Sequence, residues 1–164
     1  MAPAPDAAPE LPSDPDTDVV EVPPAPPARA LVTPANLALV FVGGTLGTAA
    51  REALTLLIPA AGGIPWAVLL ANLVGAFALG FLLEELVRRG PDHGIRRSLR
   101  LLLGTGFLGG FTTYSALATD AALLFGSGDG WLATLYGLGT VLVGAGATFA
   151  GILLGSLRHP EAAQ

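Results

Sequence analysis

The sequence predicts an all-α membrane protein of four transmembrane helices, and three observations carry that reading. Only 13% of the 164 residues are charged, 52% are hydrophobic, and the mean hydropathy is +0.63. A soluble domain carries about 25% charged residues. The charges that exist are also widely spaced: 21 uncharged residues separate Arg29 from Arg51, 31 separate Glu52 from Glu84, 19 separate Arg100 from Asp120, and 28 separate Asp129 from Arg158. A helix needs about 20 apolar residues to cross a bilayer. These runs leave room for four crossings, the longest uncharged one holding parts of two helices joined by a turn. A soluble globular enzyme is excluded.

Residues 1–32 are expected to be a disordered acidic tail. The first 30 residues hold nine prolines, six acids and one base, Arg29, and no aromatic residue. Such a segment buries too little apolar surface to offset the entropy of ordering. It also lacks the basic and apolar regions of a signal peptide. The other 134 residues hold seven charges of each sign, so the tail supplies the whole net charge of −5. With no Cys, disulfides, thiolate nucleophiles and cysteine metal sites are ruled out.

The four-helix transmembrane domain is expected over 33–157, with a short tail at 158–164. Thr33-Pro34 is a helix start, Thr capping and Pro suiting the first position. The first helix runs to about Leu57, and "IPAAGGIP" (Ile58–Pro65) forms a turn. The second runs from about Trp66 to Leu83, between an aromatic and Glu84-Glu85. A charged loop follows, then a third span from about Leu101 to Leu124. Its middle holds Gly109-Gly110 followed by Thr112, Thr113 and Ser115, which permits a helix break whose freed carbonyls must find partners. The fourth helix runs from Trp131 to about Leu154.

Four crossings put both termini and the second loop on one side. That side carries Arg29, Arg88, Arg89, Arg96, Arg97, Arg100 and Arg158, against Arg51 alone on the other. The positive-inside rule then predicts cytoplasmic N- and C-termini for a multi-pass protein of the cell membrane. Topology is the simplest role for the arginine-rich loop, with anionic lipid as a further one.

Polar groups within spans are costly and prompt functional readings. Asn72 either lines a path or makes an interhelical hydrogen bond. Thr140 follows Tyr136 by one helical turn and shares its stripe with Gly144; its hydroxyl could instead bond back to the i−4 carbonyl. The pairs Gly43/Gly47 and Gly106/Gly110 allow close helix packing. No set of residues suited to catalysis emerges. No unpaired carboxylate is expected well inside a span; Glu52, beside Arg51, comes nearest. A passive path with neutral donors, suited to a small anion, fits better than a proton-coupled transporter.

The segments "GGTLGTAAR" (Gly43–Arg51), "ANLVGAFALG" (Ala71–Gly80) and "GFLGGFTTYSAL" (Gly106–Leu117) closely resemble the fluoride-specific channel family called Fluc or CrcB. The resemblance covers roughly residues 35–157. It implies a passive fluoride exporter, an antiparallel dimer, and a third helix broken at its centre around a structural, non-transported sodium ion. Matched to this sequence, the sodium is held by backbone carbonyls of Gly109 and Thr112. The implied fluoride pore comprises Asn72, Thr113, Tyr114, Ser115, Tyr136 and Thr140, with Arg51, Gly75 and Gly110 in structural roles. Lipid bilayer and fluoride are the other partners; nucleic acid is not expected.

Four departures from the family pattern stand out. Its two third-helix phenylalanines are Tyr114 and Leu117 here, a second fourth-helix hydroxyl is Gly144, and a second-helix serine is Ala76. The seven-to-one arginine bias also disfavours a chain that inserts both ways. The dimer is therefore either a homodimer or a heterodimer with an oppositely inserted paralogue, this chain completing the pore. A small proton-coupled multidrug transporter is the remaining alternative, weakened by the lack of a carboxylate over Ala35–Ala50.

Overall fold

The computed structural model describes residues 32–158. The tails expected at 1–32 and 158–164 fall outside the described residues, apart from Val32 and Arg158.

Four stretches are long and apolar enough to cross a membrane: Pro34–Leu57, Trp66–Arg88, Ile95–Gly126 and Gly130–Leu157. The first is helix α1 (Pro34–Leu57), begun as expected by Thr33, whose side chain accepts the Asn36 N–H at 3.2 Å. At 24 residues it is about 36 Å long. The connecting turn is closed by two hydrogen bonds between Ala61 and Ile64, with Gly62 and Gly63 at φ +63° and +78°. Those angles favour residues without a Cβ. Helix α2 (Trp66–Arg88) continues a turn beyond its expected end. Glu84–Arg88 and Glu85–Arg89 ion pairs stitch that turn together.

The third crossing is composite. Helix α3 (Ile95–Leu99) leads into a nine-residue π-helical segment (Arg100–Leu108), then the short α4 (Gly109–Phe111). The chain is extended at Thr112 and Thr113, and helix α5 (Tyr114–Gly126) completes the crossing. The break expected from the glycine pair is thus present, three residues after Gly109. The π-helical winding was not expected from the sequence. Helix α6 (Gly130–Leu157) is the fourth crossing.

Two parallel pairs organise these elements. Along α1, a Cβ on Gly43 would lie 2.1 Å from the Leu102 carbonyl oxygen, and one on Gly47 would lie 2.0 Å from that of Phe107. Helix α1 and the π-helical segment therefore touch backbone to backbone. Helices α2 and α6 do the same, Gly80 facing the Thr148 carbonyl and Gly151 the Phe77 carbonyl. Such close approach is how helices gain packing energy in lipid, where apolar burial between helices gives little. The broken third crossing links the pairs. Its first half lies on α1, and α5 lies on α6 through a core of Val68, Leu117, Leu124, Ala133 and Tyr136.

The two ends of the bundle differ. Trp66 and Trp131 begin α2 and α6 at one end. At the other, Arg158 follows the end of α6 and stacks on the Phe81 ring at 4.9 Å.

Candidate functional site

The break lies against α2, and one side chain of α2 holds it. Asn72 Oδ1 accepts the Thr113 N–H at 2.7 Å, and Asn72 Nδ2 donates to the Thr113 carbonyl at 3.0 Å. In an unbroken helix the Thr113 N–H would bond to the Gly109 carbonyl. Its transfer to Asn72 releases that carbonyl. Thr113 also caps the new helix, its hydroxyl oxygen accepting the Ala116 N–H at 3.2 Å. The extended Thr112 and Thr113 conformations follow from these two replacements for lost helical bonds.

The Gly110 carbonyl, also near the break, receives Arg51 Nε and the Thr48 hydroxyl, each at 3.4 Å. Gly75 leaves room for the break itself: a Cβ there would sit 2.2 Å from Thr112 Cγ2. A Cβ on Gly110 would sit 2.4 Å from the Gly44 carbonyl oxygen. Both glycines, and Arg51, thus support the geometry of Thr112–Thr113.

A cavity of about 320 Å³ opens beside the break. Asn72, Thr112, Thr113, Tyr114, Thr140 and Thr148 give it its polar lining, while Leu117 and Gly144 are among the rest. Its walls carry no charged side chain. Several hydroxyls are occupied by backbone acceptors: Thr112 donates to the Leu108 carbonyl at 2.9 Å, Thr140 to Tyr136 at 2.6 Å and Thr148 to Gly144 at 3.1 Å. Each can swing toward an ion only by giving up that bond. Asn72 has a second N–H beyond the one given to Thr113.

The residues singled out from the sequence therefore divide. Asn72, Gly75, Thr112, Thr113, Tyr114 and Thr140 share the cavity. Ser115 stands beside it, its hydroxyl 3.2 Å from that of Thr113, and is exposed. Gly109 is exposed too, and Tyr114 is 80% exposed. Tyr136 is buried and borders a separate apolar groove with Trp66, Leu69 and Leu73, a groove that Thr140 also reaches.

Tyr136 has an unexpected partner: its hydroxyl donates to Asp120 Oδ2 at 3.3 Å, which makes Asp120 a paired carboxylate within the third crossing. Asp120 is also less open than Glu52: Glu52 is exposed, whereas Asp120 is half-buried on α5 between Leu117 and Leu124. The signal was available, because a third span drawn to Leu124 contains Asp120. What the sequence did not show was the tyrosine waiting for it on α6.

Among the described residues, no group of three or more His, Cys, Asp or Glu side chains could hold a metal. A cation at the break would rest on carbonyl oxygens, and Gly109 fits that role. Its carbonyl has lost its helical donor, and a Cβ at this position would approach nothing nearer than the Gly104 oxygen at 3.9 Å.

The profile of the family described as CrcB-like protein, Camphor Resistance (CrcB), matches residues 38–152. The chain belongs to this CrcB family. The match contains all three motifs that carried the resemblance in the sequence. A CrcB relative from Leifsonia xyli subsp. xyli, "Fluoride-specific ion channel FluC 2", is 50% identical over 121 residues, covering 74% of this chain and 83% of the relative. "Fluoride-specific ion channel FluC 1" of Cutibacterium acnes is 48% identical over 128 residues, covering 76% and 87%. "Fluoride-specific ion channel FluC" of Agrobacterium fabrum is 42% identical over 122 residues, covering 73% and 95%. These CrcB relatives are ion channels, not enzymes.

Proposed function

We propose that this chain is a subunit of a passive fluoride channel of the cell membrane, which lets cytoplasmic fluoride leave and so limits its toxicity. The observation that carries this reading is the uncharged cavity beside the break, lined by the Asn72 amide and the hydroxyls of Thr112, Thr113 and Thr140. Fluoride is small and strongly hydrated, so a path through lipid must replace its water with good donors. Neutral donors do this without trapping the ion as a fixed cation would. The edge of the Tyr114 ring adds partial positive charge. The fluoride-channel relatives support the choice of ion.

The chain acts as half of an antiparallel dimer. Gly109, Tyr114 and Ser115 are exposed at mid-span, which fits a surface covered by a second subunit. A structural, non-transported sodium ion would be held there by the Gly109 and Thr112 carbonyls. Bound, it would supply the positive charge that offsets carbonyl dipoles exposed by the break. Oxygen-only coordination suits a hard cation, as it does calcium and magnesium.

The arginine distribution favours a second version of this reading. With the termini cytoplasmic, the chain inserts one way and completes a pore with an oppositely inserted paralogue. A proton-coupled transporter is less well supported, since α1 carries no carboxylate at mid-span and Asp120 is tied to Tyr136.

The test is fluoride efflux, read by ion electrode, from liposomes holding the chain alone, with chloride efflux measured in parallel. Fluoride flux without chloride flux supports the self-sufficient channel. Silence from folded protein, relieved by co-reconstituting a paralogue, supports the heterodimer. Silence in both arrangements overturns the channel reading.

A further inference from the structure

A cleft of about 600 Å³ lies where α2 ends and the third crossing begins, away from the cavity beside the break. One wall is apolar, made by Leu83 and, one turn further along α2, Leu86 and Val87. The rim is Gly90, Pro91 and Asp92, and Arg96 and Arg100 face them from the start of the third crossing. An apolar wall under a cationic rim, at the end of a membrane-spanning helix, matches the layout of a phospholipid at the bilayer surface.

The pairing of charges shows which phospholipid. Arg100 is matched by Asp92, its Nε donating to Oδ1 at 3.0 Å and a terminal nitrogen to Oδ2. Arg88 and Arg89 are paired with Glu84 and Glu85. Arg96 is different: its Nε donates at 2.9 Å to the Pro91 carbonyl, a neutral acceptor that leaves its charge uncancelled. From Glu84 to Arg100 the chain carries five arginines against three acids. A guanidinium has further N–H groups in a planar fork that suits phosphate oxygens. Held between the fork and the apolar wall, a phosphate diester would meet charge on one side and hydrocarbon on the other.

From this juxtaposition we propose that the cleft is a binding site for an anionic phospholipid. Arg96 takes the phosphate, and the Leu83, Leu86 and Val87 wall takes the start of the acyl chains. A zwitterionic lipid presents the same phosphate but brings a quaternary ammonium toward the arginines, so it binds less well. The proposal needs the chain to be in a membrane, not to conduct. Val87 in that wall is exposed, which keeps the cleft open to lipid.

The test is native mass spectrometry of the full chain in detergent with equimolar phosphatidylglycerol and phosphatidylcholine. Phosphatidylglycerol adducts should dominate, and R96Q should lower that preference about fivefold, the attraction contributed by one basic residue at an anionic surface. R97Q removes the same charge one residue further on, outside the cleft, and should retain the preference. V87W fills the apolar wall without touching charge and should reduce adducts of both lipids. This variant decides the matter if R96Q does not stay monodisperse. Equal adducts of the two lipids on the unaltered chain, equal losses in R96Q and R97Q, or undiminished binding to V87W would each overturn the site. Displacement of the lipid by millimolar glycerol phosphate would show a free-anion site and overturn the lipid assignment.

Discussion

Asn72 and Thr113 lie 41 residues apart and exchange two hydrogen bonds, the side-chain amide of one pairing with both backbone groups of the other. A carboxamide is the side chain that offers an acceptor and a donor side by side in the spacing of a peptide group. The pairing makes the interhelical bond and the broken helix one structure. It also places the Asn72 amide at the wall of the cavity, so the bonding and pore readings of this residue are compatible.

Replacing Asn72 should separate its two contributions. Asn72→Ala removes both bonds and a donor, and should lower stability by about 1 kcal/mol, given the modest worth of side-chain hydrogen bonds in membranes. Fluoride efflux from liposomes should slow. Asn72→Asp keeps the acceptor but brings negative charge to an uncharged cavity, and should suppress flux more strongly than Asn72→Ala. Equal flux in both variants and the parent would remove Asn72 from the pathway.

Two glycines near the break should behave oppositely. Gly75→Val must displace Thr112, whose Cγ2 lies 2.2 Å from the added Cβ, so the purified protein should be poorly folded by gel filtration and melting. Gly109→Leu has space in the single chain. Its effect should appear instead in dimerisation and in any dependence of stability on sodium concentration. A Gly109→Leu variant that dimerises and keeps its sodium dependence would refute the carbonyl site.

Asp120 accepts the Tyr136 hydroxyl one helical turn before Thr140, which lines the cavity. Asp120→Asn keeps a group able to accept the Tyr136 hydroxyl hydrogen while removing the charge. Fluoride flux should rise, by about fivefold if the charge acts on the ion at roughly 1 kcal/mol across a wet path. Tyr136→Phe leaves the carboxylate without that donor and should slow flux. Efflux traces for the two variants moving in the same direction would count against this electrostatic account.

The departures at Gly144 and Leu117 call for different repairs. A Cβ on Gly144 meets only Leu73 Cδ2, at 3.9 Å, so Gly144→Ser adds a hydroxyl to the cavity at little steric cost and should increase fluoride flux. Leu117 is 7% exposed and packed with Val68, Leu124, Ala133 and Tyr136. Leu117→Phe overfills that core and should cost about 1–3 kcal/mol. Melting curves should show a lower midpoint for Leu117→Phe and an unchanged one for Gly144→Ser.

The sequence by itself determined the four crossings, their order, and the place where the third breaks. Charge spacing and hydropathy are properties of short stretches, and lipid enforces helices wherever those stretches are long enough. Thr33, the Gly62-Gly63 turn and the break after the Gly109-Gly110 pair were legible because each acts on its own few neighbours. The three motifs also carried the family. Tertiary structure decided the rest: that Asn72 closes on the Thr113 backbone, that Asp120 meets Tyr136, that Thr140 gives its hydroxyl to the turn below, and that residues 100–108 wind as a π-helix against α1. Each of these except the Thr140 bond depends on the register between helices that are distant in sequence. That register is set where backbone meets backbone, at Gly43 and Gly47 against the third crossing and at Gly80 and Gly151 between α2 and α6. A small residue marks such a contact in the sequence without naming the helix it faces. Only the packed bundle supplies the partner.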